Sequence, residues 1–155
     1  MHINPDHFLQ TEDGRVTTPE RNSEAWVLSY AALDKALSSA SGSSRLYVMV
    51  GPQGAGKSSW ARIKRDQEPD AIIFDAILVK KSEREPLLIA ARRFGVQAVA
   101  VVLDTPLQQC IHRNARRPAD EVVPEQNIRN VFAAIEPPSL EEGFVEVIRV
   151  PCEAP

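Results

Sequence analysis

Short runs of consecutive apolar residues alternate along the chain with segments whose apolar positions recur every three or four residues. The two patterns separate strands from helices. Leu46-Tyr47-Val48-Met49-Val50, Ala71-Ile72-Ile73-Phe74 and the stretch from Val96 to Leu103 are the runs. Each predicts a strand covered on both faces, as in a parallel sheet. A last strand is read from Phe144 to Val150. Trp26, Tyr30, Leu33 and Leu37 predict an amphipathic helix over 19–39, opened by Thr18 as cap and Pro19 at its first position and broken by Ser41-Gly42-Ser43-Ser44. Leu87, Leu88, Ala91 and Phe94 mark a second helix. Its predicted start is a capping box at Ser82-Glu83-Arg84-Glu85, with Pro86 in the first turn, and Gly95 stops it. Leu107, Cys110, Ile111 and Ala115 form the inner face of a third, for which Thr105, Pro106 and Gln108 read as cap, first-turn proline and capping-box partner. Ile128, Val131, Phe132 and Ile135 mark a fourth, opening at Pro124. The first 17 residues have no period and are read as extended or mobile. Strand alternating with helix implies right-handed crossovers and a small parallel sheet between two helical layers.

The connection after the first run changes this picture from a fold class to a chemistry. Gly51-Pro52-Gln53-Gly54-Ala55-Gly56-Lys57-Ser58 fits the phosphate-binding pattern G-x-x-x-x-G-K-[ST]. Glycines let the backbone curl until several amide N–H groups point at one anion. Lys57 is placed to reach the β- and γ-phosphates, the Ser58 hydroxyl to ligate Mg²⁺, and Ser59 to continue the helix whose N-terminus faces the phosphates. Gly51, Gln53, Gly54, Ala55, Gly56, Lys57, Ser58 and Ser59 are therefore the expected nucleotide contacts. Asp75 ends the second apolar run at the carboxyl edge where ligands gather in open α/β sheets. It is read as a carboxylate that supports the metal or serves as base, with a loop-capping role as the plainer alternative. Asp104 ends a comparable run beside Thr105-Pro106, where helix capping accounts for it.

Arg113, Arg116 and Arg117 crowd the end of a helix and the start of a loop. The planar guanidinium pairs bidentately with phosphate oxygens and keeps its charge, so Arg113 and Arg117 are the candidates to fold over a triphosphate from a lid at 112–123. Basic residues complementing a helix C-terminus are the alternative. His112 between them reads as a packing or surface residue. Composition is otherwise ordinary, with 43% hydrophobic and 25% charged residues. The net charge of −3 conceals 12 Lys and Arg against 7 Asp and Glu between residues 46 and 117, where the phosphate loop lies. No run approaches the ~18 apolar residues of a membrane span, no secretory leader is read at the N-terminus, and two cysteines suggest neither a disulfide framework nor zinc. A cytoplasmic location is expected, with no membrane partner.

Between Arg45 and Val150 the chain resembles the P-loop kinases that include polynucleotide 5′-hydroxyl kinases, an AAA-type, zeta-toxin-like branch. The resemblance rests on the phosphate loop with Ser59-Trp60-Ala61-Arg62, on Phe74-Asp75-Ala76 and on Leu103-Asp104-Thr105-Pro106-Leu107. It continues through Arg113-Asn114, Arg117-Pro118, Val123-Pro124-Glu125, Glu136-Pro137-Pro138 and Glu142-Gly143-Phe144. It implies ATP and Mg²⁺, transfer of the γ-phosphoryl group, and a lid arginine at Arg117 or Arg113. It also implies a strand-end aspartate that activates the acceptor hydroxyl, with an arginine three residues on. Here the chain departs, because Leu78 stands three places after Asp75. Too few residues separate the phosphate-loop helix from Asp75 to hold a further strand and its helices. Asp75 then matches the aspartate near the metal, and Lys80, Lys81 and Arg84 are the substitutes for the acceptor contact.

The expected fold is thus a P-loop NTPase, a three-layer α/β/α domain over 19–155 with an N-terminal helix at 19–40 and a lid, behind a tail at 1–18. The leading functional expectation is an ATP-dependent kinase acting on a hydroxyl acceptor, with a nucleic-acid 5′-hydroxyl as one candidate. A small-molecule kinase is the second, and a nucleotide-binding module without catalysis the third. A GTPase is disfavoured, since neither an N-K-x-D segment nor a D-x-x-G switch follows the loop.

Overall fold

The computed structural model describes residues 1–152, so the last three residues of the 19–155 range fall outside it. Five strands form one sheet: β1 (His2–Ile3), β4 (Arg45–Val50), β5 (Ile72–Phe74), β6 (Gln97–Asp104) and β7 (Glu146–Pro151). Their spatial order is β1-β5-β4-β6-β7, and every pairing is parallel. A separate two-stranded ribbon joins β2 (Gln10–Thr11) to β3 (Gly14–Arg15). The helices are α1 (Pro19–Ser38), α2 (Lys57–Gln67), α3 (Lys81–Arg93), α4 (Leu107–Ala115) and α5 (Glu125–Ala133).

The apolar runs form strands because both faces are covered. Leu46, Val48, Phe74, Ala98 and Ala100 point to one side, where Leu33 and Leu37 of α1 and Leu87, Leu88 and Ala91 of α3 pack on them. Tyr47, Met49, Ile73, Val99 and Val101 alternate to the other side, against Ala61 of α2, Cys110 of α4 and Ile128 of α5. Handedness accounts for α1, α2 and α3 but not for α4 and α5, which run from β6 to β7 and yet pack with α2. The helices α1 and α3 both carry the chain from the β1 side toward the β7 side, and they share one face. Helix α2 carries it back and lies on the other, as a constant right-handed crossover requires. This is the three-layer α/β/α arrangement anticipated from the pattern.

The N-terminal residues differ from that reading. Residues 2–15, which carry no period, hold β1, a 3₁₀ turn at Pro5–Leu9 and the β2–β3 ribbon. Strand β1 occupies the sheet edge beside β5, with His2 opposite Ile73 and Ile3 opposite Phe74. The edge strand that seemed to be missing between the phosphate-loop helix and Asp75 is therefore supplied from the start of the chain.

Three local readings shift as well. The α3 start lies two residues earlier than the proposed box, with the Glu83 carboxylate accepting from the Lys80 amide at 3.0 Å. Pro86 accordingly sits inside the helix rather than in its first turn. Phe94, assigned to the buried stripe, is 37% exposed, whereas Arg84 is fully buried. Its guanidinium bonds both oxygens of Glu142 at 2.9 and 3.1 Å, the Leu78 carbonyl at 2.9 Å and the Glu136 carbonyl at 3.0 Å. With its donors engaged inside the protein, Arg84 is withdrawn as an acceptor contact. Arg84→Ala is expected to cost about 3–5 kcal/mol, because it leaves a buried carboxylate and two carbonyls without their donor. Urea denaturation measures this, and a loss below about 1 kcal/mol would mean that water replaces the guanidinium.

Candidate functional site

The carboxyl ends of β4, β5, β6 and β1 converge on one edge of the sheet. The chain leaves β4 toward one side and β6 toward the other, so the crevice between them is a topological switch point, where open α/β sheets bind ligands. The phosphate loop fills that crevice. Gly54 has φ +79°, and a Cβ there would lie 2.4 Å from the Cys110 carbonyl oxygen. Only glycine permits both the backbone angle and the close approach of α4. Thr105, expected to cap α4, does something else: its hydroxyl donates to the Ala55 carbonyl at 2.8 Å. It anchors the loop to the end of β6, and Pro106 takes the cap position without a side-chain bond. Asp104 likewise does not cap, being paired with Arg149 at 2.9 Å.

Lys57 folds back over the loop and donates to the carbonyls of Gly51 and Pro52 at 2.9 and 2.8 Å. Burial lowers its pKa from 10.5 to about 8, although the charge of Asp75 opposes the shift. Its Nζ is thus held among carbonyls that a phosphate can replace as partners. Ser58 begins α2 and donates to Asp75 Oδ2 at 2.8 Å. Asp75 is 1% exposed. Burial pushes its carboxyl pKa up, but the His2 hydrogen bond, the Lys57 charge and the Ser58 hydrogen bond together hold it below the usual range. Asp75 is therefore an ionised carboxylate touching the loop serine. A hydroxyl and a carboxylate side by side suit a hard, oxygen-seeking cation that keeps most of its water, as Mg²⁺ does. Among the described residues no group of three His, Cys, Asp or Glu could hold a metal by itself.

Arg113, on the last turn of α4, places Nη1 3.5 Å from where a Cβ at Gly56 would stand, directly over the loop. Arg117 is close enough for its charge to disfavour protonation of Lys57. Arg113 therefore faces the loop, Arg117 lies within range of its charge, and Arg116 caps α4 exposed. The Gln53 side-chain oxygen Oε1 is buried without a hydrogen-bond partner. The 112–123 segment is better tied down than its sequence suggests. The Asn114 amide donates to the Val123 carbonyl at 2.8 Å and accepts from the Val123 amide at 3.1 Å, which closes the base of the loop. His112 is exposed.

The residues that sequence reasoning missed all come from the N-terminal segment. His2 Nε2 is 2.8 Å and Asn4 Nδ2 3.3 Å from Asp75 Oδ2, the oxygen that Ser58 also reaches. Asp6 follows on the 3₁₀ turn, and its negative charge favours protonated Lys57. The one local signal in this region was Asp13-Gly14, a turn dipeptide where the β2–β3 hairpin enters β3.

A family model described as an AAA domain matches residues 63–138. That stretch runs from the middle of α2 through β5, α3, β6 and α4 to just past α5, and it begins after the phosphate loop. The loop and its geometry are therefore observations independent of the match. This is a P-loop nucleotide-binding fold. No curated protein matches the chain. Among the described residues no helix of this P-loop fold is long and apolar enough to cross a membrane.

The lowered pKa of Lys57 has a checkable consequence. A folded-state pKa of about 8 against 10.5 means that protonated Lys57 is penalised in the free fold. The penalty is complete below pH 8 and disappears as the pH rises toward 10.5. A bound triphosphate restores the preference for the ammonium, so binding takes up a proton above pH 8. Affinity should fall there by as much as about tenfold per pH unit. Calorimetric titrations with Mg·ATP at pH 7 and pH 9, in buffers of different ionisation enthalpy, measure the uptake. No proton uptake at pH 9 would exclude Lys57 from the phosphate contacts.

Proposed function

We propose that the protein is a kinase that transfers the γ-phosphoryl group of ATP to a hydroxyl acceptor. The observation that carries this reading is the convergence of Lys57, Ser58, Asp75 and Arg113 on one phosphate loop at the switch point of the sheet. The loop amides and Lys57 hold the β- and γ-phosphates, while Arg113 and Arg117 cover the charge that spreads onto the transferring group. Ser58 and Asp75 would hold Mg²⁺, which when bound would supply positive charge to offset that of the phosphates. His2 and Asn4 fix the Asp75 carboxylate in place, which favours the metal-supporting role over that of base.

The acceptor side is then formed by the N-terminal segment. Asp6 stands three residues past the end of the edge strand β1, on the 3₁₀ turn, with its side chain 46% exposed and 3.3 Å from Arg15. It is the carboxylate best placed to take the hydroxyl proton. As that O–H bond gives up its proton to Asp6, the oxygen bonds to the γ-phosphorus, and the bond to the β–γ bridging oxygen breaks to release ADP. Because the segment walls this side, the site is less open than a chain with a deleted acceptor region would be. That favours a small hydroxyl compound over a polynucleotide 5′-end. Lys80 and Lys81, both exposed at the start of α3, remain the basic groups available to a nucleic-acid acceptor.

γ-Labelled ATP offered with 5′-hydroxyl oligonucleotides, nucleosides, sugars and amino alcohols tests the proposal. Transfer to any of them supports a kinase and names its acceptor class. Tight ATP binding with neither transfer nor hydrolysis would overturn it and leave a nucleotide-binding module.

A further inference from the structure

The β2–β3 ribbon reaches across the site to the lid loop, and one side chain makes the bridge. The Arg15 amide donates to Asp120 Oδ2 at 2.6 Å, and Arg15 Nη2 donates to Glu121 Oε1 at 2.5 Å. Its Nη1 lies 3.3 Å from Asp6 Oδ2 on the opposite side of the site. The Arg15 side chain is 14% exposed, against 26% for Glu121 and 46% for Asp6, so the guanidinium is the sheltered member of the cluster. Gly14 allows the contact: at φ +100° it brings Asp120 Oδ2 to 2.9 Å from where a Cβ would be. The ribbon itself is stiffened from within, by the Thr11 hydroxyl donating to the Gly14 carbonyl at 2.7 Å. It is fixed to α1 by Arg21, whose Nε donates to the Val16 carbonyl at 3.0 Å and whose Nη2 donates to the Leu9 carbonyl at 3.2 Å. At the other end, Asn114 and Val123 close the base of the lid loop.

We propose that Arg15 is a positioning residue that locks the lid loop to the N-terminal segment, so that the two sides of the site close as one body. The inference rests on the reading above for what the two sides are, lid and acceptor wall, but the link itself stands on the contacts. Arg113 and Arg117 precede the Asp120–Glu121 tip of the loop, and Asp6 sits on the 3₁₀ turn. The Arg15 fork spans the tip and Asp6 at once, and each carboxylate balances part of a charge that neither could hold alone. A lysine carries the charge but lacks the fork. Ordering of the lid by a nucleotide is thereby transmitted to residues 4–9, and an acceptor that displaces the 3₁₀ turn is felt by the lid.

Hydrogen exchange on the full chain tests this without any assumed activity. In the ligand-free protein Arg15→Ala should raise exchange roughly tenfold or more in both 4–9 and 116–123. Glu121→Gln should do the same at 4–9, the double variant should add little, and Arg15→Lys should restore less than half of the protection. With Mg²⁺ and the non-hydrolysable analogue AMP-PNP, the wild type should gain protection in both segments, and Arg15→Ala only in 116–123. That loss of transmission separates a lock from a merely stabilising ion pair. Exchange that rises in the ribbon alone, or adds independently in the double variant, would overturn the proposal. If AMP-PNP protects nothing in the wild type, the kinase reading fails, while the ligand-free comparison still decides the lock.

Discussion

Lys57→Ala should lower phosphoryl transfer by about 10²–10³-fold, the loss seen when one preorganised donor to a developing charge is removed. The fold should remain at least as stable as before. The reason lies in what Lys57 does when no nucleotide is bound. Its ammonium donates to the Gly51 and Pro52 carbonyls, and its pKa is lowered to about 8 by burial, so at pH 7 it is a charge the fold holds at a cost. Alanine removes that cost along with the clamp. Thermal unfolding should therefore show an unchanged or raised midpoint at pH 7, together with lost turnover and weakened Mg·ATP binding. The stability difference should shrink as the pH rises from 8 to 10.5, where wild-type Lys57 loses its proton. Wild-type turnover in the variant would remove Lys57 from the transfer step. A destabilised variant would mean that its carbonyl contacts outweigh the cost of burial.

The parts of the molecule legible in the sequence are those whose signal is local. Strand β4 and strand β6 are unbroken apolar runs because helices cover both their faces, and Leu33, Leu37, Leu87 and Leu88 declare their helices by spacing. The phosphate loop is legible because its backbone demands glycine where an α4 carbonyl crowds Gly54. What stayed hidden depends on partners far away in the chain. His2–Ile3 is too short to show a period, and its strand exists only because β5 offers it an edge some seventy residues on. Arg84 sits among charged neighbours and looks like surface, yet its partners Glu136 and Glu142 come from beyond α5. Thr105 fits a cap perfectly by sequence, but its hydroxyl is taken by Ala55 across the switch point. The missing side of the site has its own cause. A parallel sheet can accept its edge strand from either end of the chain, and spacing along the sequence does not say which.

That origin of the edge strand gives the second large prediction its form. Asp75→Asn should reduce turnover by about 10²–10⁴-fold. It should also loosen the N-terminal segment, because Asp75 Oδ2 receives Ser58, His2 and Asn4 together. A carboxamide of the same shape can place its neutral oxygen there, but it accepts from the three donors more weakly than a carboxylate does. It also lacks the charge that favours protonated Lys57. Two readouts separate the roles. If Asp75 supports the metal, the variant should need more Mg²⁺ for half-maximal rate, and part of the loss should be recovered at high Mg²⁺. If it is the base, kcat should fall with the Mg²⁺ requirement unchanged. Asp6→Asn provides the contrast: kcat should fall, with Mg·ATP affinity and Mg²⁺ requirement near wild type. Should Asp75→Asn instead lower kcat and leave the Mg²⁺ requirement unchanged, Asp75 is the base. The N-terminal segment would then be a structural strand that happens to border the site.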